Sequence, residues 1–351
     1  MKNLFLSVAL LFATSMLFAQ EDENRDCDGC SITQMDPGSV GAADNTVNIN
    51  QTGLYFNGAF ATQVGSGNLA NIDQNGPYYG GGYYEYATVI QTGIQNEADV
   101  NQYGAYDNGL IVQYGVSNFA QQNQGLNWGW SNWGNATAIQ SGTSNVSYQT
   151  QDGYWNIGTV NQIGVGNYAE QNQSSSGWNW ASNNAIISQV GDENESLQNQ
   201  SGGNNFAFST QVGDGNTAVS NQSNNSGYWY YGYNTSVINQ FGDDNLACVT
   251  QNSTYGSNYS MISQIGDLNS AVVNQTDTYY GFNTSMINQI GDTNLACVTQ
   301  NADTGYNYSN VLQLGDYNTA YVTQNAFGAN NLSFVNQYGN GNLSVVNQTA
   351  F

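Results

Sequence analysis

NTSMINQIGDTNLACVTQ, residues 283–300, holds the pattern from which the whole chain can be read. It divides into two matching halves, NTSMINQ (283–289) and NLACVTQ (294–300), on either side of Ile290, Gly291, Asp292 and Thr293. Both halves follow N-x-[A/S]-x-[V/I]-x-Q, so asparagine, a small residue, a branched residue and glutamine occupy the odd places. Alternation with period two is the signature of a strand, and the odd places share one face. The glycine in the four-residue connection suits a backbone that turns with positive φ, where a side chain is penalised. Each unit is therefore strand, turn, strand, with the odd faces folded over each other rather than paired as a flat hairpin.

Working outward, the frame Q-x-G-x-x-N-x-[A/S]-x-x-x-Q begins at Gln63, Gln91, Gln113, Gln140, Gln162, Gln189, Gln211, Gln240, Gln264, Gln289, Gln313 and Gln337. A period of this kind marks a repeat architecture in which no unit can bury its own face and neighbours must stack. The expected fold is all-β: a two-sheet parallel β-solenoid of about twelve turns, amyloid-like, with strands ~4.8 Å apart and a column of roughly 60 Å. Its interior should hold Ala, Ser, Val and Ile, with ladders of Asn and Gln at the strand ends. A primary amide both donates and accepts, so identical residues at that spacing can hydrogen-bond from turn to turn without end. The ladder residues singled out are Gln63, Asn68, Gln74, Gln240, Asn245, Gln251, Gln264, Asn269, Gln275, Gln289, Asn294, Gln300, Gln313, Asn318, Gln324, Gln337, Asn342 and Gln348. The last strand, NLSVVNQ (342–348), is followed by Thr-Ala-Phe; without a cap, that end reads as a template for the first turn of another copy.

Three regions are expected. Residues 1–19 resemble a secretory signal peptide, with Lys2 ahead of an apolar run and Ala19 at its end, too short for a comfortable membrane span. Residues 20–44 are acidic, lack periodicity and read as disordered. Residues 45–351 are the solenoid, starting with an extra half-unit at Asn45–Gln51.

Composition narrows the function. The chain has two Lys or Arg residues, 25 Asp or Glu, no histidine and a net charge of −23. Such a polyanion repels nucleic acid and anionic lipid. The missing histidine and the scarcity of lysine remove the usual proton shuttle, metal ligand and amine nucleophile. The reading is a non-enzyme with no cofactor.

The fixed positions resemble the curlin repeat of curli-type functional amyloid subunits, S-x5-Q-x-G-x-x-N-x-A-x3-Q. QIGDLNSAVVNQ (264–275) and QLGDYNTAYVTQ (313–324) match every fixed position from the first Gln, and the resemblance extends over residues 57–348. It implies a secreted subunit that polymerises into cross-β fibres at the cell surface for biofilm matrix and adhesion. It also implies export through an outer-membrane secretion pore, seeding by a nucleator subunit, and self-assembly centred on terminal-repeat amides, here Gln63, Asn68, Gln74, Gln337, Asn342 and Gln348. The repeat number is about twice the family's usual one, the first position is mostly Asn rather than Ser, and the aromatic loops have no family counterpart.

Other features admit two readings. Aspartate follows the turn glycine at Asp192, Asp214, Asp243, Asp267, Asp292 and Asp316. This row is either a set of gatekeepers restraining aggregation or a calcium-binding stripe. Trp128, Trp130, Trp133, Trp178, Trp180, Tyr228, Trp229, Tyr230 and Tyr231 fall in the closing loops, which alternate long and short in the first half. They either contact sugars or partner fibres, or pack on one another. Cys248 and Cys297 lie two turns apart with Val272 between them, beyond disulfide reach. Cys27 and Cys30 lack a second ligand pair for zinc. Sequons such as Asn258-Tyr259-Ser260 arise from the ladder itself. The rivals to a fibre subunit are a monomeric adhesin binding polysaccharide through its aromatic edge, an ice-binding solenoid lacking the necessary Thr-x-Thr rows, and a polysaccharide-cleaving β-helix.

Overall fold

The computed structural model describes residues 30–35, 44–52, 57–75, 84–125, 133–175, 182–224 and 232–351, the first of these as backbone alone. The signal-peptide region, Cys27 and the long closing loops, with Trp128, Trp130, Trp178, Trp180, Tyr228, Trp229, Tyr230 and Tyr231, lie outside them. Every described element is a strand, from β1 (Cys30–Met35) and β2 (Thr46–Thr52) to β25 (Asn331–Tyr338) and β26 (Leu343–Ala350). Odd-numbered strands form one 13-stranded sheet and even-numbered strands a second. Each strand pairs in parallel with the next but one, which is the two-sheet solenoid expected from the alternation. The twelve repeats supply β3 (Gly58–Ser66) through β26, one strand to each sheet.

Register follows the repeat. On β21 (Phe282–Ile290) and β23 (Tyr306–Leu314), Asn283, Ser285, Ile287 and Gln289 lie over Asn307, Ser309, Val311 and Gln313. On β22 (Leu295–Ala302) and β24 (Thr319–Ala326), Ala296, Val298 and Gln300 lie over Ala320, Val322 and Gln324. The odd positions are buried and the even ones face out, because two opposed sheets can hide one side of each strand only.

Stacking explains the turn glycine as much as its backbone angle does. Gly115 has a φ of 121°. A Cβ on it would lie 1.9 Å from the carbonyl oxygen of Gly142 in the next turn. The last residue of the same turn is also left-handed, at Gln95, Ser117, Glu193, Leu268 and Thr293 among others, all with φ between 55° and 58°. That second strained place carries side chains and leaves no mark in the frame.

Two expectations need correcting. Cys30–Met35, inside the stretch read as disordered, pairs with β3, setting Cys30, Ile32 and Gln34 against Ala59, Ala61 and Gln63. The small, branched, Gln alternation was present there, hidden by the long connection to Asn45. Second, the interior is not apolar throughout. The branched column of the even sheet runs Val100, Gln122, Gln149, Gln171, Gln198, Ser220, Val249. Apolar packing accordingly falls into an N-terminal cluster around Val89 and Ile111, a C-terminal cluster around Ile262 and Val298, and three residues between them, Val160, Ala169 and Ile187. Glutamine is longer than valine, and the facing small position becomes glycine at Gly109 and Gly158. A Cβ on Gly158 would lie 2.9 Å from Gln171 Oε1.

Candidate self-assembly site: the amide columns

The register places equivalent amides directly above one another, and each column has a direction. Gln63 Nε2 donates to Gln91 Oε1 of the next turn at 2.7 Å, and Gln289 to Gln313 and Gln313 to Gln337 at 2.8 Å. In the even sheet Gln51 donates to Gln74 at 2.6 Å, and Gln251, Gln275, Gln300 and Gln324 donate onward to Gln348 at 2.8 Å. Gln240 and Gln264 sit in the same odd-sheet column, joined at 2.9 Å. The second Nε2 proton crosses to the other sheet, as from Gln251 to the Thr235 carbonyl at 2.8 Å. One side chain thus ties two turns and two sheets.

Turn asparagines run the opposite way. Asn68 Nδ2 donates back to Asn45 Oδ1 at 3.1 Å, Asn269 to Asn245 at 3.1 Å, and Asn294 and Asn318 each to their predecessor at 3.0 Å. Their main-chain N–H groups donate to the same oxygens, and the remaining Nδ2 proton reaches forward to a turn carbonyl, as from Asn269 to Gly291 at 2.7 Å. These amides are buried, so each bond contributes about 1 kcal/mol net, while an orphaned partner costs about 1–3 kcal/mol.

At the C-terminal end the columns reach an edge. Gln337 Nε2 turns to the Thr319 carbonyl and the Ser344 hydroxyl, and Gln348 Nε2 to the Leu332 carbonyl. Asn342 donates back to Asn318 Oδ1 at 2.8 Å. The face of β26 that corresponds to the buried face elsewhere is here half-exposed. This end accordingly presents glutamine donors and an asparagine acceptor.

The aspartate row is stitched into the stack. Asp214 Oδ1 accepts the main-chain N–H of Asp192, Asp243 that of Asp214, Asp267 that of Asp243, Asp292 that of Asp267 and Asp316 that of Asp292, all at 2.9–3.0 Å. The carboxylates spread along the row, with no cluster of three metal-ligating acids, cysteines or histidines among the described residues.

Cys248 and Cys297 are free and half-buried, flanking Val272 in register, and burial pushes both thiols above their ordinary pKa. The described part of the aromatic edge is a stack. Tyr106 and Trp133 lie 4.3 Å apart and Trp133 and Trp155 5.1 Å, with rings inclined by 4° and 7°.

Sequence reasoning passed over the residues beside that stack. Glu85 and Asp107 are fully buried in the odd-sheet column that later turns fill with asparagine. Burial pushes Glu85 up to about 9, with Asp107 and Asp73 adding to the rise, and Asp107 to about 7 against the lowering effect of two backbone N–H groups. The available signal was an acid in the first place of N-x-[A/S], in Glu85-Tyr86-Ala87 and, with glycine in the small place, in Asp107-Asn108-Gly109.

Residues 307–339 match the family model of the curlin associated repeat. The curlin repeat spans β23, the turn, β24 and β25, and its Gln313, Asn318, Gln324 and Gln337 belong to the three columns described above. Since every other turn is in register with it, the match is consistent with a protein of the curlin-repeat family. No curated protein matches the chain. No helix among the described residues is long and apolar enough to cross a membrane.

Proposed function

We propose that this chain is a non-enzymatic structural subunit that adds head to tail into an extracellular, curli-like amyloid fibre for biofilm matrix and adhesion. The observation supporting this is the fixed polarity of the columns. The C-terminal end offers Gln donors and an Asn acceptor, which the opposite end of another copy complements, so addition continues both sheets in one register. Self-assembly would then use Gln337, Asn342 and Gln348 at one end and, at the other, the turn of β1 and β2, which covers Gln63, Asn68 and Gln74 and joins them through the Gln51–Gln74 and Asn68–Asn45 bonds. In this reading the aspartate row slows unseeded addition. A nucleator subunit and an outer-membrane secretion pore are the partners, and residues 1–19 direct export.

The stacked rings bear on the adhesin alternative. Tyr106, Trp133 and Trp155 turn their faces to one another, whereas a sugar platform presents a face.

Residues 20–351, diluted from denaturant, should polymerise after a lag, bind thioflavin and give a meridional reflection near ~4.8 Å. Sonicated fibres should abolish the lag, and Gln337→Ala with Gln348→Ala should slow seeded growth. A monodisperse, dye-negative product that ignores seeds would refute the proposal.

A further inference from the structure

The odd-sheet column at the closing corner runs Asn57, Glu85, Asp107, Gly134, Asn156, Asn183 and on to Asn331. The main-chain bonds Gly58 N to Glu85 O at 2.8 Å, Tyr86 N to Asp107 O at 2.9 Å and Asn108 N to Gly134 O at 2.8 Å fix its first members one above another. From Asn205 onward each asparagine donates Nδ2 to Oδ1 of its predecessor, as in Asn205 to Asn183 and Asn234 to Asn205, both 3.0 Å. Its main-chain N–H can serve the same oxygen, as Asn205 N does to Asn183 at 3.3 Å. Gly134 N makes the equivalent bond to Asp107 Oδ1 at 2.8 Å.

The side-chain donors fail at the two acids and once more at Asn156, whose Oδ1 is buried without a partner while Asn183 Nδ2 donates to the Gly202 carbonyl at 2.9 Å. Asn57 Oδ1, both Glu85 carboxyl oxygens and Asp107 Oδ2 are buried without a hydrogen-bond partner. Glu85 and Asp107 have no exposed surface. The groups raising Glu85 are the acids Asp107 and Asp73, and from residue 26 onward the chain contains no lysine, arginine or histidine. Two ionised carboxylates stacked one turn apart in this corner would have no counter-charge among the described residues, and backbone N–H donors reach Asp107 alone, leaving both Glu85 oxygens and Asp107 Oδ2 unpaired.

We infer that Glu85 and Asp107 are protonated links of this column, so that the N-terminal turns take up protons as they fold and loosen when those protons leave. One proton on each carboxyl pairs all four oxygens. Glu85 donates to Asn57, Asp107 donates to the other oxygen of Glu85, and both bonds run from a turn to its predecessor, the direction the asparagines use above. The carboxylic acid thereby stands in for the amide, O–H for N–H.

The pH dependence has a definite sign. Unfolded, the two groups ionise near their ordinary values of 4.5 and 3.8, whereas in the fold burial raises them to about 9 and about 7. Over that window the folded chain binds more protons than the unfolded one, so stability falls as pH rises. The contribution is whole below about pH 4, erodes through neutrality and is gone above about 9. This inference concerns the folding of the chain and stands apart from polymerisation.

Hydrogen exchange on the full mature chain, as monomer or fibre, tests it at the Tyr86 and Asn108 amides, with Leu295 as internal reference. From pH 5 to pH 9, protection at Tyr86 and Asn108 relative to Leu295 should fall by about tenfold or more, each pKa unit counting tenfold. Glu85→Gln with Asp107→Asn, which restores amides to the column, should hold that ratio flat. Infrared spectra of wild type at pH 6 should show a protonated-carboxyl carbonyl band that the double variant lacks, a readout independent of whether the variant folds. A constant ratio in wild type, the same loss in the double variant, or absence of the band would overturn the inference. Rescue of protection at pH 9 by calcium alone would also overturn it, in favour of a metal at this corner.

Discussion

The turns around Gln149 and those around Val298 share one backbone, one register and one set of end columns, yet fill their interiors by opposite means. In the middle turns a further ladder runs through the core, Gln122 to Gln149 at 2.8 Å, Gln149 to Gln171 at 2.9 Å and Gln171 to Gln198 at 3.2 Å. Ser196 and Ser209 complete it with a 2.6 Å hydroxyl pair, and Gln198 Nε2 also reaches Ser209 Oγ. In the C-terminal turns Val249, Val273, Val298 and Val322 pack against Ile262, Ile287 and Val311. There the serines at Ser236, Ser260, Ser285 and Ser309 are buried with hydroxyls that find no partner. A solenoid can thus exchange hydrophobic burial for polar continuity, provided that every turn in the block makes the same choice. One amide alone is an orphan; four in register are a ladder.

That contrast can be broken most forcefully in the apolar block. Val298→Gln should cost about 3–5 kcal/mol, the lost burial plus an unpartnered amide, measured as the unfolding midpoint in urea. The reverse single change, Gln171→Val, orphans Gln149 and Gln198 and should cost about 2–4 kcal/mol in the same assay. Replacing Gln122, Gln149, Gln171 and Gln198 together by Val, with Gly158→Ala to fill the vacated space, should recover to within about 1 kcal/mol of the parent, because no amide of the ladder is left without its partner and the carbonyls of Leu110, Thr137, Thr159 and Ile186 that lose a donor stay in paired strands. The smallest effects lie at the serines. Ser285→Ala should be neutral or stabilising by up to about 1 kcal/mol, whereas Ser196→Ala, which breaks the pair with Ser209, should cost about 1 kcal/mol. If Ser196→Ala and Ser285→Ala behave alike, the distinction between the blocks fails.

Much of this was legible beforehand. Strand, inward face, turn glycine and end columns all follow from N-x-[A/S]-x-[V/I]-x-Q, because period-two alternation and a fixed connection leave the chain few options. The interior glutamines were visible in NVSYQTQ (145–151) and NYAEQNQ (167–173), but only the facing Gly158 and the unbroken run of turns show why they are tolerated. The aspartate row could be seen, while its acceptance of main-chain N–H groups could not, since that depends on the height of one turn above the last. Glu85 and Asp107 follow loops of unequal length, which hide their shared column from a linear reading.

The amino-acid order alone determined the unit, its repetition and which side chains point inward, since these are local consequences of spacing and chirality. Only the tertiary structure decided that glutamines donate forward and asparagines backward, that the core changes character midway, and that two acids sit buried where amides stand elsewhere. Each of these depends on what lies one turn above or below, a neighbour some 22 to 29 residues distant along the chain, and stacking rather than sequence proximity sets its hydrogen-bond partner.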